Sequence, residues 1–411
     1  MNGFLIFILV VIVGQYLLDM GVALLNLRSL SPELPAEFAG VYDGEKYSRS
    51  QQYTRVTTRF SLVQNTIITL LTVLFILCGG FNQVDLAARY FGLSPLFTGM
   101  IFIALLGLLV TVINLPFSLY STFVIEERFG FNTTTPATYF LDMMKGMLLA
   151  VVLGGPLLGG ILWFFEVSGS WAWLYCWLVI LVFIVIMQFL APVVIMPLFN
   201  RFTPLEDGEL KEAVTDYARK QQFGLQGIYT MDGSKRSRRA NAFFTGFGKY
   251  RRIVFFDTLI NEVSVKELVA ILAHEMGHFK KKHIMKMMAA SALQTGVMLY
   301  ILSFFIKSEP LFAAFGMEHL SIYASLVFFG FLYAPISTVL SIFFNMISRR
   351  HEYEADAFAA ATTGGNDSLI SGLKKLSASN LSNLTPHPLH VFLHYSHPPV
   401  LQRIKALQAL G

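Results

Sequence analysis

Charge is scarce in this sequence. Only 14% of its 411 residues are Asp, Glu, Lys or Arg, whereas 55% are hydrophobic; a water-soluble chain of this size usually carries about a quarter charged residues. The deficit excludes an ordinary soluble globular protein and implies that lipid replaces water over much of the surface. Cysteine is scarcer still. Cys78 and Cys176 are the only two, both inside apolar runs, so a disulfide framework is not expected; without a CxxC pair, a cysteine zinc site is excluded too. The formal net charge of +5 is too modest to suggest nucleic acid as a partner and suits cytoplasmic loops of a membrane protein. Internal repeats and low-complexity tracts are also lacking.

Long apolar runs are plentiful. Stretches able to cross a hydrocarbon core lie at about 4–26, 61–82, 96–119, 145–165 and 172–199, with two more at about 286–306 and 320–347. The count is seven, the fourth and fifth being joined by a short turn around Ser168–Ser170. The first lacks a basic n-region and a small-x-small cleavage site, so it reads as a retained span rather than a signal peptide. Between 200 and 285 the composition turns charged, with shorter apolar runs, as in an α/β insert. The expected organisation is 1–199 with five spans, 200–285 as the insert, 286–347 with two spans, and 348–411 as a C-terminal segment. Arg28, Lys46, Arg49, Arg55 and Arg59 follow the first span, the insert is basic, and Arg349-Arg350 close the last span. The alternate connections carry little beyond Arg89 and Lys307. Basic residues favour the cytoplasmic side, which puts the N-terminus outside and the insert and C-terminal segment inside.

Within the insert, Ser264–His283 reads as a helix, opened by a capping-box pattern of Ser264 with Glu267 and given an apolar face by Leu268, Ile271 and Leu272. It carries His274-Glu275-Met276-Gly277-His278. Two imidazoles four residues apart lie on one face of a helix, as a shared metal requires. Glu275 projects beside them, where a carboxylate can take a proton from an activated water. The bland alternative is a surface helix with two unrelated histidines. A third ligand is available: the last span runs into His351-Glu352-Tyr353-Glu354-Ala355-Asp356, where Glu352 and Asp356 share a face. Glu352 would complete a His₂Glu zinc site with an open fourth position, and Asp356 would accept the free N–H of a ligand histidine. His351 and Glu354 are rivals on other faces. One zinc ion per chain is expected. The run Lys235-Arg236-Ser237-Arg238-Arg239 reads as a solvated or lipid-facing loop.

At these residues the chain resembles the CAAX prenyl protease 1 family, the type I CAAX endopeptidases. HEMGHFKKKH and HEYEADAFA are similar to its two metal-binding segments. So are LPAEFAGVYDGEKYSRSQQYT, LPFSLYSTFVIEERFGFN, PLFNRFTPLEDGEL and HYSHPPVLQRIKAL to other family segments, in the same order. The resemblance implies a mainly α, multi-pass membrane protein: seven transmembrane helices around a chamber, closed at its cytoplasmic end by a small α/β zinc metalloprotease domain. It implies His274, His278 and Glu352 as ligands and Glu275 as the base. Asn241 would lie on an edge strand that pairs with substrate, and His397 and Arg403 would face the scissile carbonyl or the substrate carboxylate. Peptide or protein substrates, lipidated ones among them, and membrane lipids are the implied partners. Short loops and few extensions suggest a prokaryotic member in a bacterial inner membrane. Because prokaryotes generally lack protein prenylation, membrane quality-control proteolysis is an alternative. A transporter with a structural zinc is a second, weakened because Asp19 is the clear charge within a span and lies near its end.

Overall fold

The computed structural model describes residues 2–245 and 251–410. Among these residues, seven helices are long and apolar enough to cross a membrane: Gly3–Arg28, Gly44–Leu77, Pro95–Glu126, Pro136–Val167, Gly169–Phe199, His283–Ser303 and Ile322–Thr363. The expected number holds, but several limits differ, among them the start of the fourth span at Pro136 rather than near 145 and the end of the third at Glu126 rather than near 119. The second span begins at Gly44, not near 61, and ends at Leu77; a separate helix, Gly80–Arg89, follows it. Its first turns are polar, which made them look like a loop. Asp43 caps them by accepting from the Lys46 N–H at 2.6 Å, and Tyr47, Ser50 and Gln51 are buried there. The seventh helix does not stop at the arginine pair: it continues unbroken to Thr363. The division expected at 347/348 therefore falls inside one helix, and that at 285/286 falls inside the sixth span.

The spans do not pack into a tight bundle. Across their most apolar windows only 0–17% of residues are buried. Burial concentrates instead at two ends. At one end all seven spans contribute to a core that includes Ile8, Ile76, Phe102, Leu162, Cys176, Leu299 and Phe328. Phe81, on the short helix after the second span, meets Phe315 and Phe328 edge-on. Asp85, fully buried on the same helix, accepts from Arg89 Nε at 2.7 Å and Tyr323 Oη at 2.5 Å. Between that core and the opposite end few of the residues on the spans are buried.

The second core belongs to the domain that carries the His274–His278 motif, which is assembled from more of the chain than the 200–285 insert. Phe38, Tyr42 and Tyr47 from the first connection pack with Val214, Phe255, Leu268, Met276, Ala359 and Ile404. Its sheet runs in the order β1 (Phe202–Pro204), β2 (Gly227–Met231), β4 (Arg252–Phe256), β3 (Ala242–Thr245). The β2–β4 pair is parallel and the outer pairs are antiparallel, so β3 is an edge.

The basic run before β3 is more than a solvated loop. Arg236 binds Asp142 on the fourth span through Nε at 2.7 Å and Nη2 at 3.0 Å. Arg239 reaches Glu126 on the third span at 3.0 Å, donates to the Tyr53 hydroxyl, and lies over the Phe131 ring at 4.4 Å. Two membrane helices thus hold the chain where it enters the edge strand.

The motif helix, Val265–Lys280, is anchored at its start. Ser264 and Glu267 form the expected capping box. The Glu267 carboxylate also accepts from Ser371 Oγ at 2.5 Å and Lys375 Nζ at 2.8 Å. Burial alone would raise its pKa, but Lys375, Ser371 and Ser264 outweigh burial and lower it from 4.5 to about 2. A carboxylate lowered on folding contributes stability above its unfolded pKa, and the contribution disappears as pH falls through the folded value. Glu267→Gln is therefore expected to lower the stability of the purified protein at pH 7 by ~2–3 kcal/mol, read as a lower melting temperature. The gap from wild type should close between about pH 4.5 and pH 2.

Candidate metal centre

Two helices build the site, and a glycine lets them meet. Gly277 sits between the two motif histidines, and a Cβ there would lie 2.9 Å from Ala355 Cα and 3.1 Å from Ala355 O. Backbone atoms cannot swing aside as a side chain could, so only glycine permits this approach of the motif helix to the seventh span. A glycine inside a helix costs about 1 kcal/mol relative to alanine. Its presence in the motif was the sequence signal for a close contact.

At that crossing three donors converge. His274 Nε2 and His278 Nε2 are 3.2 Å apart; Glu352 Oε2 lies 3.5 Å from the first and Glu352 Oε1 3.2 Å from the second. His274 and Glu352 are buried and His278 is half-buried. Glu352 Oε2 is also buried without a hydrogen-bond partner. Tetrahedral zinc with bonds of about 2.0–2.2 Å sets its ligands roughly 3.3–3.5 Å apart, so the spacing, the donor types and the orphaned carboxylate oxygen all fit that ion. Glu275 is half-buried beside them and has no hydrogen-bond or ion-pair partner among the described residues.

Behind the ligands lies a charged layer. Asp356 Oδ1 is 2.8 Å from His274 Nδ1. Arg403, on the C-terminal helix Val400–Gln408, donates to both Asp356 oxygens, Nε at 2.8 Å and Nη2 at 2.6 Å. Its Nη1 is 3.3 Å from Glu352 Oε2. The guanidinium is thus turned to Asp356 and Glu352, whereas the resemblance implies that it faces the scissile carbonyl or the substrate carboxylate. Its Nη2 also lies 3.3 Å from His274 Nδ1, but both groups donate to the same Asp356 oxygen, and that contact is not a bond. Burial pulls the His274 imidazole toward neutrality, yet Asp356 and Glu352 more than offset it and carry its pKa up to about 9.

The remaining expected residues surround the donors. His397 is mostly exposed, with Nε2 3.4 Å from Glu352 Oε1 and Nδ1 2.9 Å from Ser396 Oγ. Asn241 immediately precedes β3, and its carbonyl accepts the Phe256 N–H at 3.0 Å. Glu354, the rival ligand, is turned to His283 at 3.1 Å and Arg350 at 3.0 Å, and the other rival, His351, stacks on His283.

Comparison with known proteins agrees with this architecture over its whole length. The profile of the CAAX prenyl protease N-terminal region, five membrane helices, matches residues 23–201, and that of Peptidase family M48 matches 204–410. The CAAX prenyl protease 1 of Saccharomyces cerevisiae is 35% identical over 405 residues, spanning 91% of this chain and 88% of its own. The chain belongs to the CAAX prenyl protease 1 family. A CAAX prenyl protease 1 homolog of Oryza sativa subsp. japonica is likewise 35% identical, over 92% of this chain and 90% of its own. The crystal structure of S. mikatae Ste24p superposes with a TM-score of 0.92 at 33% identity and covers 99% of both chains. The protein is accordingly a multi-pass membrane zinc metalloendopeptidase of family M48. These relatives are eukaryotic, and nothing in them speaks for the prokaryotic source expected above.

The rival carboxylates are separable by metal analysis. Glu352→Ala, purified in detergent, is expected to hold well under one zinc per chain, whereas Glu354→Ala purified in parallel stays near wild type. The opposite pattern would move the third ligand to Glu354.

Proposed function

We propose that this chain binds one zinc ion through His274, His278 and Glu352 and hydrolyses peptide bonds near the C-terminus of lipidated, CAAX-type substrates. The convergence of these three side chains beside Glu275 carries the reading. Zinc, when bound, supplies a Lewis acid that activates water and polarises the scissile carbonyl. Glu275 takes the proton from the attacking water and returns it to the leaving amine. His397, whose Nδ1 lies 2.9 Å from Ser396 Oγ, would donate from Nε2 to the developing oxyanion; loss of such a donor costs about 10²–10³ in rate. Asp356 holds the His274 ring, and Arg403 holds Asp356.

Substrate would extend along the free edge of β3, pairing with its backbone from Asn241 onward. The strand leads from one cavity to another. Asn241, Arg239, Asn380, His390 and His397 line a polar cavity of about 850 Å³. Thr245 lines an apolar one of about 810 Å³ with Phe223, Phe243, Phe244, Phe279 and Glu275. An isoprenyl group suits the second and a short polar C-terminal peptide the first. Membrane lipids surround the spans, and the chamber would admit a tethered peptide without its leaving the bilayer. By the distribution of arginine and lysine, the peptidase domain faces the cytoplasm; in a prokaryotic cell the membrane would be the inner one.

Incubating the purified protein with a farnesylated CAAX peptide tests this reading. Cleavage next to the prenyl-cysteine should disappear with a zinc chelator and in Glu275→Gln, while that variant keeps its zinc. Substantial residual turnover in Glu275→Gln would remove it as the base. Chelator-sensitive cleavage confined to unlipidated membrane segments would move the function to quality control.

A further inference from the structure

The two ligand histidines are held in different ways. His274 faces a carboxylate directly, through Asp356. His278 instead faces a third imidazole: its Nδ1 lies 3.1 Å from Nδ1 of His283, a side chain only 2% exposed. His283 opens the sixth span and arrives there by a sharp turn, since Lys282 before it adopts a left-handed φ of 58°. That conformation is uncommon for a residue with a Cβ, and here it folds the chain back beneath the motif helix. On its other side His283 Nε2 is 3.1 Å from Glu354 Oε2, and Glu354 Oε1 accepts from Arg350 Nε at 3.0 Å. The His351 ring stacks on that of His283 at 3.9 Å, nearly parallel at 8°.

Proton placement along this row has one solution once His278 coordinates through Nε2, the atom that faces His274 and Glu352. The free Nδ1 of His278 must then carry hydrogen and donate to His283 Nδ1. His283 must carry its own hydrogen on Nε2 and donate it to Glu354, which can only accept. We propose that His283 is a positioning residue for His278, fixing its tautomer and ring orientation through a hydrogen-bonded row that ends on Glu354. The inference rests on the reading of His278 as a zinc ligand. The row draws on both the sixth and seventh spans, so the fit of this ligand depends on the spacing of two membrane helices. Outer partners of this kind are worth about 10–100-fold in metal affinity.

Zinc affinity of the purified full-length protein, measured by competition with a chromophoric chelator, tests the proposal. His283→Ala is expected to weaken affinity about 10–100-fold. His283→Phe, which fills the space without an acceptor, should be as weak. His283→Asn sets an amide oxygen where Nδ1 lies and should recover most of the loss. Glu354→Ala should weaken binding less, still leaving the metal in place after purification, and should add nothing to His283→Ala, because it acts only through that ring. The cobalt-substituted protein should show an altered ligand-field spectrum in His283→Ala and not in His283→Asn. Unchanged affinity in His283→Ala, recovery by Phe and not by Asn, or additive losses with Glu354→Ala overturn the proposal. His278→Ala separates the two levels. If it loses zinc while His283→Ala does not, only the positioning role falls; if it keeps wild-type affinity, the ligand reading falls and the positioning role with it.

Discussion

The close approach of the motif helix to the seventh span at Gly277 and Ala355 governs the metal centre. It brings two imidazoles from an extramembrane helix against a carboxylate on a membrane helix. Neither element could hold the ion alone. An i, i+4 histidine pair offers two donors, and Glu352 adds a third from the other helix. Asp356, one turn beyond Glu352, then needs its own compensation, which Arg403 supplies from the C-terminal helix. That requirement draws the end of the chain into the centre: the Arg403–Asp356 pair docks Val400–Gln408 behind the ligands, and Ile404 and Leu407 join the peptidase core.

The same logic explains the attachment of the peptidase domain to the bilayer. Among the described residues its sheet ends at β3, and a substrate strand laid there would have to meet the three donors to within a fraction of an ångström. The chain entering β3 is tied to the third and fourth spans by Arg239–Glu126 and Arg236–Asp142. Glu352 comes from the seventh span and His283 from the start of the sixth. Four membrane helices therefore set the relative positions of the strand, the ligands and their support.

Much of this was legible in the sequence because it rests on local pattern. Span number follows from apolar run length, and the histidine pair and the capping box follow from helical periodicity. Glu352 could be named because it shares a face with Asp356. What was not legible depends on contacts between distant segments. Polar turns at Gly44–Phe60 looked like a loop because the surfaces that bury Tyr47 and Gln51 lie elsewhere in the chain. The arginine pair seemed to close the last span, yet Arg349 is satisfied by the Val391 and Tyr395 carbonyls and the helix runs on. The resemblance set Arg403 toward the scissile carbonyl or the substrate carboxylate, and nothing local in the sequence showed that Asp356 would hold it. Gly277 was the one visible trace of such a contact, a costly residue inside an otherwise strong helix.

Zinc K-edge X-ray absorption on the purified protein and on Gly277→Ala tests most directly whether the helix crossing makes the site. The wild-type spectrum should show two imidazole nitrogens and carboxylate or water oxygens at about 2.0–2.2 Å, without sulfur. Gly277→Ala, with its motif helix forced off Ala355, should retain little zinc or show a disordered shell. A wild-type shell lacking imidazole, or an alanine variant with full zinc and an unchanged spectrum, would contradict the account.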